Sequence, residues 1–113
     1  MMMDIGEMVH VIERRQFDTD VRQHFFGVVD RVDEAAVRVT GYAFVYDPSA
    51  TTFVRHDAPR TRVIPLTSGL IINVAPVGTN VEAVKYVFDD TGKLSVTDGG
   101  AFRLDINEFG RFR

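Results

Sequence analysis

The sequence predicts an all-β domain: a small, strongly bent antiparallel barrel or rolled sheet of six to eight strands, with room for one short helix. Three observations carry that reading. In residues 35–46, Val37, Val39, Gly41, Ala43 and Val45 alternate with Arg38, Thr40, Tyr42, Phe44 and Tyr46, the period of a strand whose side chains point in turn to its two faces. Clusters of Gly, Pro, Asn and Asp recur between short apolar segments along the chain, which is the punctuation of strands and turns. The length of 113 residues, with 45% hydrophobic and 26% charged, suits a single domain over 1–113 that buries a core without disulfides or a structural metal.

Taken in order, residues 8–15 are either an extended arm or one amphipathic turn, leading into a loop at Gln16-Phe17-Asp18-Thr19-Asp20. Residues 24–32 form a strand, joined through the polar Asp33-Glu34 to the strand of 35–46. Gly41, inside that strand, offers no side chain to pack and marks a bend, a bulge or a close approach. Asp47-Pro48-Ser49-Ala50 has turn chemistry, so residues 51–55 return as a hairpin arm. Ala58-Pro59 breaks pairing before residues 61–66 resume it.

Leu70-Ile71-Ile72-Asn73-Val74-Ala75, closed by Pro76, is too short for a typical helix and reads as a central strand. Asn80 caps a helix over 81–86, or else Val81, Ala83, Lys85 and Val87 alternate as a strand, the stronger of the two patterns. Residues 86–88 and 94–96 flank a hairpin loop at Asp89-Asp90-Thr91-Gly92. After Asp98-Gly99-Gly100, residues 102–106 alternate once more, and 109–113 read as a loose tail.

The absence of cysteine removes disulfide frameworks, thiolate metal sites and cysteine nucleophiles. A formal net charge of -3 is not the overall basic excess of a nucleic-acid binder, although a local patch is compatible with it. The first seven residues carry Asp4 and Glu7 where a secretory signal needs basic and then apolar residues. The nineteen-residue uncharged run 63–81 holds Pro65, Gly69, Asn73, Pro76, Gly78 and Asn80, which suits a strand between turns and not a membrane span. A soluble, cytoplasmic protein is the expectation.

The candidate chemistry is sparse. His10, His24 and His56 have no metal-ligand spacing, and His24, before Phe25-Phe26, reads as an ordinary partly buried histidine. His56 and Asp57 point to opposite faces of an extended backbone, so they are not read as an orienting pair. Asp18-Thr19-Asp20 and Asp89-Asp90-Thr91-Gly92 are incomplete as calcium loops. Ser49, Ser68 and Ser95 are not in nucleophile elbows. Asp105 and Glu108 qualify as an acid–base pair only in the sense that such pairs are defined in space. No catalytic residue, metal or cofactor is therefore assigned. The one local concentration is Arg55, His56, Arg60 and Arg62 around Pro59, an anion-binding candidate because guanidinium groups match phosphate and carboxylate.

From Gly27 near the start of one strand, through bends at Gly41 and Pro59, to the short strand beginning near Gly69, the pattern over residues 24–75 resembles the small bent barrel of the Sm-like proteins. The resemblance implies a ring-forming, RNA-binding fold. Asp33-Glu34-Ala35-Ala36 stands where that family has an asparagine, and Thr67-Ser68-Gly69 replaces its Arg-Gly pair, so the family's uridine pocket is not implied with it. The functional expectation is a non-catalytic binding or self-assembly module forming a homo-oligomer, with an anionic ligand or RNA as partner and no membrane. An Sm-like ring and an enzyme with a site assembled from scattered Asp, His and Arg are its rivals.

Overall fold

The computed structural model describes residues 2–13, 22–67 and 69–106. The Asp18-Thr19-Asp20 loop, Ser68, Glu108 and the 109–113 tail lie outside them. The described chain is all-β and antiparallel, with nine strands: β1 (Met8–Glu13), β2 (Gln23–Val32), β3 (Ala36–Asp47), β4 (Thr52–Arg55), β5 (Arg60–Pro65), β6 (Leu70–Val74), β7 (Lys85–Phe88), β8 (Leu94–Thr97) and β9 (Arg103–Asp105). One 3-10 turn, Val81–Ala83, precedes β7. It corrects both patterns read there: the Asn80 side chain caps only a single turn by accepting from the Glu82 N–H, and the strand begins at Lys85 and not at Val81.

A six-stranded sheet runs in the order β4-β3-β2-β1-β6, with β5 also pairing β3, and a three-stranded sheet runs β7-β8-β9. Three expectations need correction. The strands among the described residues number nine, because residues 8–13 pair as β1 and the break at Pro59 separates β4 from β5. The sheet does not close into a barrel. And among the described residues β6 is not central: it pairs β1 alone and ends the sheet. A continuous apolar run reports cover on both faces of a strand, whereas centrality depends on its two hydrogen-bonding edges, which hydropathy does not record.

The large sheet is apolar on both faces. Alternate residues of β2 and β3 divide between two cores: Phe26, Tyr42 and Phe44 join Val96, Phe102 and Ile106 beneath the small sheet, while Phe25, Val29, Val37, Val39 and Ala43 join Val9, Val11 and Ile64 on the opposite face. Leu70 and Ile72 of β6 pack against that second core too. Side chains from β5 and β6, on opposite sides of the sheet, thus meet the same cluster, so the sheet curls round it and stays open between them. The nineteen-residue uncharged run is divided between the end of β5, β6 and the turns beyond.

Curling is made possible where Gly27 and Gly41 stand opposite each other on β2 and β3. A Cβ built on Gly41 would strike the Phe26 carbonyl, and one on Gly27 the Thr40 carbonyl. The two backbones pass too closely there for any side chain, which is the role the sequence suggested for Gly41. Further along, the register shifts between Val29 and Arg31, leaving Asp30 as the extra residue of a bulge. Its carboxylate accepts from Arg38 Nε at 2.5 Å and from the Thr40 hydroxyl at 3.0 Å.

Candidate functional site

Antiparallel pairing of β1 with β2 sets His10 opposite Phe26 and Ile12 opposite His24. Both histidines therefore share the face covered by the small sheet. Tyr86 of β7 lies in the row Tyr86, Val96, Leu104 across that sheet and reaches down between them. Its hydroxyl is 2.8 Å from His10 Nε2 and 2.5 Å from His24 Nδ1. Phe53 stacks on both His24 and Tyr86, with ring centroids 4.2 Å and 4.7 Å away.

Burial decides the charge of this cluster. His10 is 0% and His24 4% exposed. Desolvation lowers the His10 pKa to about 3, and desolvation together with the neighbouring His10 lowers that of His24 to about 2. Burial also raises the Tyr86 pKa well above its ordinary value, so all three groups are neutral at pH 7. One phenol hydroxyl between two neutral imidazoles donates to one and accepts from the other. His10 Nδ1 is buried with no partner among the described residues, and a bare lone pair is cheaper to bury than an unpaired N–H. That preference has His10 Nε2–H donate to Tyr86 and Tyr86 O–H donate to His24 Nδ1. Among the described residues no group of three or more His, Cys, Asp or Glu is placed to hold a metal. The arrangement holds β1, β2 and β7 together through polar contacts inside an aromatic core.

Three of the four residues of the anion-binding candidate lie on strands, and these divide between the two faces of the sheet. Arg55 pairs with Phe44 and sits on the face of the small sheet. Arg60 and Arg62 oppose Gly41 and Val39 and share the other face, as their alternation suggested. Arg55 is engaged with its own chain: Nη1 donates to the Glu82 carbonyl at 2.8 Å, Nη2 lies 3.9 Å from Asp57, and the guanidinium sits 4.6 Å from the centre of the Tyr42 ring. Tyr42 donates to Glu82 Oε2 at 2.5 Å, and that hydrogen bond raises its pKa. Arg62 lies 5.3 Å over the Phe25 ring, while Arg60 and His56 are exposed. An open groove of about 560 Å³ runs between β4 and β7, lined by Phe44, Phe53, Arg55, Glu82, Lys85 and Tyr86 among others. The Asp89 carboxylate turns inward on its own hairpin, accepting from Thr91 and the Lys93 N–H.

A third feature is a strand edge. Ala75 N–H donates to the Met8 carbonyl, and antiparallel alternation then turns Ile71 and Asn73 towards β1 and the N–H and C=O of Ile72 and Val74 away from the sheet. The Leu70 N–H donates back to Thr67 at 3.2 Å. The uncharged stretch signalled the strand and not its edge. What it lacked was the position of β1, whose six residues fit two readings. Comparison with protein families, with characterised proteins and with solved structures finds no match to this chain.

Proposed function

We propose that the domain is a non-catalytic assembly module that takes up an extended strand along the open edge of β6. One observation carries the reading: among the described residues β6 is an edge strand with no charged residue and no proline, and its outward N–H and C=O groups are aligned for pairing. Exposed edges of this kind are normally blunted by charge, proline or a covering element. The far side of the roll shows such blunting, because β5 carries Arg60 and Arg62 and ends in Pro65. Strand addition supplies affinity through the main chain and selectivity through alternate side chains. Here those are Leu70 and Ile72, partly buried on the second core, and Val74, which is 50% exposed.

The test is amide exchange at Ile72 and Val74 with and without an added peptide of residues 69–75. Strand addition predicts slowed exchange at those two amides, abolished in a Val74→Lys variant that keeps its circular dichroism spectrum. Unchanged exchange at Ile72 and Val74 amides that exchange freely in the chain alone overturns the reading. Salt-sensitive binding of single-stranded RNA, with no effect at these amides, favours the ring alternative instead.

A further inference from the structure

Building on the strand-docking reading, we propose that the strand β6 takes up is β6 of a second copy, antiparallel about a two-fold axis at Ile72. The free backbone groups are self-complementary about that residue. Each Ile72 N–H would donate to the Ile72 C=O of the other copy, and each Val74 N–H to the Leu70 C=O opposite it. The Leu70 N–H is already given to Thr67, so this register asks nothing of it and leaves only the Val74 carbonyl to water. A two-fold contact brings the residue on the axis against its own copy and repeats every other pair twice, so a charge at position 72 would face a like charge and one beside it would be buried twice. None occurs from residue 63 to residue 81. The same pairing sets Leu70 against Val74 of the other copy and Ile72 against Ile72, covering the exposed Val74 with aliphatic carbon. It also joins the two large sheets into one.

The lack of cysteine makes the register directly readable. Ile72→Cys, Leu70→Cys and Val74→Cys are made singly, checked for a native circular dichroism spectrum, and oxidised. Ile72→Cys should crosslink to itself. Leu70→Cys and Val74→Cys should not, because each lies about 14 Å from its own copy along the strand, but an equimolar mixture of the two should give a mixed dimer. Light scattering of the native chain should show twice the monomer mass, falling to the monomer for Val74→Lys. A dimer with another crosslinking pattern overturns the register. A native chain that stays monomeric across the micromolar range overturns the two-copy proposal. If the 69–75 peptide still slows exchange at Ile72 and Val74 in that monomer, strand docking survives. If it does not, both readings fall.

Discussion

Tyr86 keeps two buried imidazoles from facing an aromatic core unpaired. Removing its hydroxyl deletes two hydrogen bonds and strands a nitrogen on each of His10 and His24, so Tyr86→Phe should cost about 2–4 kcal/mol at pH 7, on the scale of 1–3 kcal/mol for each unsatisfied buried group. A denaturant midpoint unchanged from the native protein would show that water already serves these nitrogens. The histidines also give stability a pH dependence of known sign. Their folded pKa values, about 3 and about 2, lie below the unfolded value of about 6.5. As pH falls below that value the unfolded chain binds protons that the folded chain does not. Stability is therefore full above about pH 6.5 and declines below it by up to about 1.4 kcal/mol per pH unit for each histidine. Urea midpoints at pH 7, 6 and 5 should fall steadily, in a range where ordinary carboxylates have yet to titrate. Little of this cluster could be read from the residues alone. His10, His24 and Tyr86 are far apart in the chain, and only the register of β1 on β2, with β7 laid across them, brings them together. His24 was legible as a partly buried residue from its place before Phe25-Phe26, and the structure buries it almost completely. Its partners were not legible.

At the scale of elements, period-two alternation located β3 and β9, and turn residues between β-prone segments located β2, β4, β5, β7 and β8. Alternation left β1 unsettled, because Val9, His10, Val11 and Ile12 are all buried and a strand covered on both faces loses its alternation. The glycine pair on β2 and β3 is the feature on which the bending rests. Gly41→Val and Gly27→Ala should each destabilise by more than about 3 kcal/mol, the tail of point-mutant effects reserved for clashes that backbone must move to relieve. Chemical denaturation measures this directly, and a loss below about 1 kcal/mol would mean that the strands separate there cheaply. The arginine cluster shows a different limit. Nearness in sequence across Pro59 suggested convergence, but β4 and β5 pair β3 at residues of opposite parity, placing Arg55 on one face and Arg60 and Arg62 on the other.

The whole molecule is organised around one sheet that is apolar on both sides, with the small sheet covering one core and curvature enclosing the other. Because β2 and β3 contribute to both cores, neither core forms without them. The pairing of β1 with β6, from Val9 with Val74 to Glu13 with Leu70, joins strands near opposite ends of the large sheet's sequence. Closing so long a loop carries an entropic cost that local hairpins do not, and non-local pairing of this kind is slow. During refolding, β2 and β3 can pair through their short connection while β6 still has both edges open. An uncharged strand in that state recruits other chains as readily as its own β1. The yield of native protein on rapid dilution from denaturant should therefore fall as chain concentration rises, and Val74→Lys, by placing a charge on that strand, should recover it.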